Sequence, residues 1–127
     1  MSETWQSLAD DAYRASLSLR QERRCRSAIS RAYYAVYSRV TALLVAHGVT
    51  MPDDYEGPLH SKLAALIEAH LTGLRSKRWT VAGLARGLYD LRVIADYHPS
   101  VPVDGGDALV AVRRMMGAFH LLAGEKP

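Results

Sequence analysis

The sequence predicts an all-α protein, an antiparallel up-and-down bundle of four to five helices. Three observations carry that prediction. Apolar residues recur every three to four positions along most of the 127 residues, the spacing that gives a helix one apolar stripe. No stretch shows the alternation of a half-buried strand, and no repeat occurs at a fixed period. The breaks between periodic stretches are short and rich in Pro, Gly or basic residues, so successive helices must turn back on one another. The length matches one domain, residues 1–127, large enough to bury a core without staples.

The first helix spans about residues 4–19, with Trp5, Leu8, Ala9, Ala12, Ala15, Ser16 and Leu19 on its apolar side and Asp10, Asp11 and Arg14 outward. Residues 20–23 make a short connection. The central helix, residues 24–48, carries the broadest stripe, with Ala28, Ile29, Ala32, Tyr33, Val36, Val40, Leu43 and Leu44 at helical spacing. At about 1.5 Å per residue it runs the depth of a small domain, roughly 35–40 Å. Gly48 is placed as the C′ residue that ends it. Cys25 falls on the same stripe, which predicts a buried thiol.

Pro52, Asp53, Asp54, Gly57 and Pro58 make residues 49–58 a loop. A third helix follows through Leu59, Leu63, Leu66, Ile67, His70, Leu71 and Leu74, ending near Gly73. After the basic turn Arg75-Ser76-Lys77-Arg78, Thr80 is placed as the N-cap of a fourth helix with Val81, Leu84, Ala85, Leu88, Leu91 and Ala95 inward. Pro99 disfavours helix at His98, so this helix ends near Tyr97. Asp104 or Asp107 caps a last helix through Leu109, Val112, Met116 and Phe119, closing at Gly124.

The net charge is only +3, yet it is unevenly spread. Arg20, Arg23, Arg24, Arg26, Arg31 and Arg39 face the single acid Glu22 between residues 20 and 39. Of the sixteen basic residues only Lys62, Lys77 and Lys126 are lysine, leaving thirteen arginines, the side chain that forks onto phosphate. The functional reading is a patch for nucleic acid or another polyanion; the plainer one is the solvated end of a long helix. One cysteine rules out an internal disulfide and points to a reducing compartment. The absence of a signal-like start and of a long apolar run makes a cytoplasmic protein the expectation, with no membrane partner.

Paired Cys-x-x-Cys, His-Glu-x-x-His, glycine-rich phosphate loops and Gly-x-Ser-x-Gly elbows are all missing, and the five histidines are scattered. No metal and no cofactor is expected. The fourth helix offers Arg92, then Asp96 one turn on and His98 just past the end. Arg92 and Asp96 can form a structural i,i+4 pair. Alternatively, Arg92 and His98 can face a groove, Arg92 countering charge on a phosphodiester and His98 moving the proton of a ribose 2′-hydroxyl.

Arg31-Ala32-Tyr33-Tyr34-Ala35 in the central helix, with Leu88-Tyr89-x-Leu91-Arg92-x-x-Ala95-Asp96-Tyr97 much later, resembles the HEPN superfamily (higher eukaryotes and prokaryotes nucleotide-binding), in its small prokaryotic single-domain branch. The His60-Ser61-Lys62 step resembles it too. The resemblance spans about residues 5–122. It implies a bundle of about five helices, usually paired into a homodimer and associated with RNA or nucleotides. Many members are metal-independent endoribonucleases with an Arg-x(4–6)-His motif, often toxins or defence effectors partnered by a nucleotidyltransferase antitoxin. Arg92 and His98 fit that motif, with the pairs of two protomers around one cleft. Arg31 and the Arg20, Arg23, Arg24 and Arg26 cluster would then hold RNA, supported by Asp96, Tyr34 and Tyr97. The alternative is a non-catalytic module that binds a nucleotidyltransferase or another protein through the same bundle.

Overall fold

The computed structural model describes residues 3–127 as a helical bundle. Its helices are α1 (Trp5–Gln21), α2 (Cys25–Ala46), α3 (Leu63–His70), α4 (Lys77–Tyr97) and α5 (Gly105–Leu122), with single 3₁₀ turns at His60–Lys62 and Thr72–Leu74. Cross-contacts fix the directions. Ser16 Oγ donates to Ala28 O at 2.8 Å and Arg39 reaches Gln6 Oε1 at 2.9 Å, so α1 and α2 run antiparallel. Arg26 meets the carbonyls of Ile94 and Ala95 while Arg92 meets Tyr34, so α4 runs against α2. Gly87 packs under Arg114 and Gly117 under Leu84, which sets α5 against α4. The four long helices therefore go up, down, up and down, and α3 is a short crossing piece.

α2 is the centre. Every residue from Ala35 to Leu44 is buried, because this half of the helix is covered on all sides. The sequence predicts one broad stripe there; packing closes over the remaining faces as well. Small residues permit the close approach, with Ala9, Ala12 and Ser16 of α1 buried beside Ala28 and Ala32 of α2.

The helix ends follow from local chemistry. Thr4 caps α1 in a capping box with Ser7, and Asp104 caps α5 in one with Asp107. α2 ends as foreseen at Gly48, whose φ of 76° and the bond from Val49 N to Leu44 O form a Schellman motif. α1 ends in the same motif, with Arg24 N on Leu19 O, but Arg23 takes the left-handed position at φ 60°. The loop after α2 is pinned by Tyr37, whose hydroxyl donates to Pro58 O at 2.6 Å. A side chain at Gly57 would collide with that hydroxyl and with the Trp5 indole.

Several expectations need correction. Thr80 lies inside α4, which begins at Lys77 behind Ser76 and has no side-chain cap. The third helix is broken into two 3₁₀ turns and eight α-helical residues, and Leu59 and His70 are exposed. In α5 the inward face is Ala108, Ala111, Val112, Met115, Ala118 and Leu122, leaving Met116 about half exposed. Packing against α2 and α4 selects the small alanines, turning the face by about one residue from the one that large side chains suggest. Cys25 is half-buried. Among the described residues no helix is long and apolar enough to cross a membrane.

Candidate functional site

Two neighbouring features lie along α2 and the carboxyl end of α4. The first is an open hollow of about 540 Å³, lined by Arg24, Ser27, Ser30, Arg31, Tyr34 and Asp96 among others. Arg24 and Arg31 are exposed. Arg24 is also the N-cap residue of α2 and contributes no side-chain cap, and the first turn holds no acid. The positive end of the helix dipole therefore adds to the two guanidinium groups. Asp96 is the acid in the lining, with Ser30 Oγ donating to its Oδ2 at 3.1 Å.

The second feature is a cage around Arg92. One turn past Leu88, on the side of α4 that faces α2, its side chain is only 10% exposed. Nη2 donates to the hydroxyls of Tyr34 at 2.7 Å and Tyr97 at 3.3 Å. Nε stands 3.0 Å from Asp96 Oδ2. That approach is poorly aligned, so Nε has no hydrogen-bond partner despite its burial and the pair is held by charge alone. The guanidinium carbon lies 5.2 Å from the ring centre of Tyr34 and 5.1 Å from that of Tyr97, within cation–π range. Burial pushes its pKa down, but Tyr34, Tyr97 and Asp96 outweigh that and raise it above the ordinary value. Arg92 is a permanent, held cation.

Behind Arg92, Tyr33, Tyr34, Tyr37 and Tyr89 surround His60. Tyr33 OH and His60 Nδ1 are 2.7 Å apart, and the His60 ring centre is 4.6 Å from that of Tyr37. Burial, helped by the Arg92 charge, lowers the His60 pKa, so the imidazole is neutral near pH 7. Burial also pushes Tyr33 far above the usual tyrosine range and raises Tyr37. Sequence reasoning set His60 aside among the scattered histidines. Tyr33 on the apolar stripe signals that a buried hydroxyl there demands a partner, without saying which residue supplies it.

The structure divides the expected site residues. Arg24, Arg26, Arg31, Tyr34 and Asp96 share the hollow. Arg20 and Arg23 line a different depression beside Cys25, Gly105 and Ala108. Arg26 reaches past the hollow and caps α4: Nη1 donates to Ile94, Ala95 and His98 carbonyls at 3.1–3.2 Å, and Nη2 to those of Pro99 and Val101. Arg39 is buried and does the same for α5, bonding Leu122 O at 2.9 Å and Glu125 O at 2.7 Å. Burial lowers its pKa, and Asp10 and Glu125 oppose that. His98 is exposed just beyond α4. Among the described residues no hydrogen bond or ring contact joins its imidazole to Arg92, whereas Tyr97 touches Arg92 directly.

Comparison with models of known protein families, with curated proteins and with solved structures finds no match to this chain. Among the described residues, no group of three or more His, Cys, Asp or Glu is gathered as a metal ion would need.

Proposed function

We propose that the chain is a HEPN-like, RNA-directed protein that acts as a homodimer, a metal-independent endoribonuclease of toxin or defence type. The observation that carries the RNA half is the hollow at the amino end of α2. Arg24 and Arg31 are exposed there and, among the described residues, form no ion pair with an acid, beside a helix end without a side-chain cap. Such a surface takes phosphodiester backbone by charge, without reading sequence.

The chemical half rests on Arg92 and His98. In a single-stranded RNA, a 2′-hydroxyl oxygen attacks the adjacent phosphorus and the P–O5′ bond breaks. The products are a 2′,3′-cyclic phosphate and a free 5′-hydroxyl. His98 takes the 2′ proton, the leaving 5′ oxygen takes up a proton from water, and Arg92 counters the growing negative charge on phosphorus. Because the two side chains do not meet within one chain, the reaction needs the pairing of two protomers to bring an Arg92 and a His98 to one phosphate. A nucleotidyltransferase partner fits the same reading as antitoxin.

A second reading is favoured by a specific observation: Arg92 is buried and already held by Asp96, Tyr34 and Tyr97. That is the geometry of a structural cation in a non-catalytic module, which binds RNA or a protein partner and cuts nothing. The deciding experiment is incubation of labelled single-stranded RNA with the purified protein in EDTA, alongside Arg92→Ala and His98→Ala, with folding checked by circular dichroism. Cyclic-phosphate products from wild type, lost in both folded variants, support the nuclease. Intact RNA across several sequences refutes cleavage and leaves the module. Cleavage that survives His98→Ala removes its role in proton transfer.

A further inference from the structure

The second basic cluster in the sequence, Arg75-Ser76-Lys77-Arg78, is absorbed by neither the hollow nor the Arg92 cage. It leads directly into Trp79, an indole left 53% exposed. The Arg78 guanidinium lies over this ring, 4.0 Å from its centre. One face of the indole is thus occupied by a cation while more than half of the side chain meets solvent. Arg75 and Lys77, four and two residues before Trp79 in the chain, are exposed, Arg75 in a left-handed conformation at φ 55°.

The surroundings favour an anion. Between Glu68 and Asp90 the chain has no acid and four cations, Arg75, Lys77, Arg78 and Arg86. Glu68 is engaged by Arg86 at 3.1 Å. From beyond α5, the Glu125 carboxylate lies beside Gly73. None of the other exposed large apolar side chains belongs to residues 69–89. A lone indole among cations is a poor apolar patch for a protein partner, whose interface core would be depleted of charge. It matches what single-stranded nucleic acid requires: an aromatic face for a base, with cations beside it for the flanking phosphates.

We infer that Trp79 is a stacking platform for an unpaired base of single-stranded RNA, with Arg75 and Lys77 contacting the adjoining phosphates. This inference rests on the RNA-directed reading above and adds a second contact to it. Trp79 and Asp96 lie near opposite ends of α4, about 25 Å apart at 1.5 Å per residue. The platform and the hollow are therefore separate points on one strand, and each can be removed without the other.

The test measures binding of fluorescein-labelled oligo(rU) to the full chain by anisotropy in EDTA at two salt concentrations, for wild type, Trp79→Ala, Trp79→Phe and Arg75→Gln/Lys77→Gln. Trp79→Ala is expected to weaken binding about 5- to 150-fold, the loss of one stacked base. Trp79→Phe should restore most of it. Arg75→Gln/Lys77→Gln should flatten the salt dependence by roughly 0.7 log unit per log unit of salt for each lost contact, while Trp79→Ala leaves that slope unchanged. In a Trp5→Phe background the remaining indole should be quenched as RNA binds, a readout that leaves Trp79 intact. Wild-type affinity in Trp79→Ala, or an unquenched indole in a formed complex, overturns the platform. If Arg24→Gln/Arg31→Gln loses binding while Trp79→Ala does not, the platform falls and the RNA reading stands. Wild type that binds no RNA refutes both. Trp79→Ala that instead turns a dimer into a monomer by sedimentation assigns the indole to a contact between copies, which also overturns the platform.

Discussion

Replacing Arg26 by alanine should destabilise the fold without weakening the electrostatic grip on RNA. Two guanidinium nitrogens share five carbonyls at the carboxyl end of α4 and the turn after it. Those are the carbonyls that a helix end leaves without partners, and a cation there also answers the helix dipole. A hydrogen bond to a charged group contributes about 1.5–3 kcal/mol. The five contacts are shared by two donors and partly reach solvent, so their joint loss should cost about 2–3 kcal/mol. A chain of this size unfolds with an entropy of roughly 270 cal/mol/K, which converts that loss into a drop of about 7–11 °C in Tm. Arg26→Lys should fall between, since an ammonium reaches fewer carbonyls than a planar fork. The assay is thermal unfolding by circular dichroism, paired with the salt dependence of RNA binding well below Tm. A variant that melts within 2 °C of wild type, or one of full stability whose salt slope falls, would refute the assignment of Arg26 to the helix end.

Three further outcomes follow from the same contacts. Asp96→Asn removes the counter-charge of a buried guanidinium and should cost about 1–3 kcal/mol in urea unfolding, discounted because Asp96 is partly exposed; Arg92→Met added to it should recover part of the loss. For His60, burial and Arg92 place the folded pKa below the unfolded value of about 6.5, so the unfolded chain binds more protons just beneath that value. Stability from neutral His60 is complete above pH 6.5 and declines as pH falls towards the folded pKa; urea titrations at pH 7.5 and 5.5 should show a drop that is smaller in His60→Gln. Arg23→Gly relieves a left-handed arginine at the end of α1 and should raise Tm by about 2–4 °C, measured by the same melts.

The long helices were legible because their cause is local. Periodicity marks α2 and α4, Pro99 ends α4, Gly48 ends α2, and Asp104 opens α5. Large side chains point to the wrong face of α5: spacing predicts Met116 inward, yet the alanines at 108, 111 and 118 pack against the neighbouring helices. The arginines between 20 and 39 were legible as a charge run but not in their direction. Arg26 and Arg39 turn to backbone carbonyls of helices some seventy or more residues later, and a carbonyl has no sequence signature. Among the described residues Arg24 and Arg31 find no such target, and both are exposed. The Arg92–Asp96 pair was readable from helical spacing; the approach of Tyr34 from α2 and of Tyr97 five residues on was not. His60 was not, because the loop that carries it to Tyr33 is fixed by the Pro58 carbonyl and the close packing at Gly57.

The most direct test of the account is the affinity of the full chain for a single-stranded RNA oligonucleotide, followed from 50 to 200 mM salt, in wild type and Arg24→Gln/Arg31→Gln. Backbone binding at the hollow predicts that wild-type affinity falls steeply with salt and that the paired substitution flattens the slope by about 1.4, two contacts at roughly 0.7 each. The same slope and affinity in both proteins, with the variant folded, would contradict it.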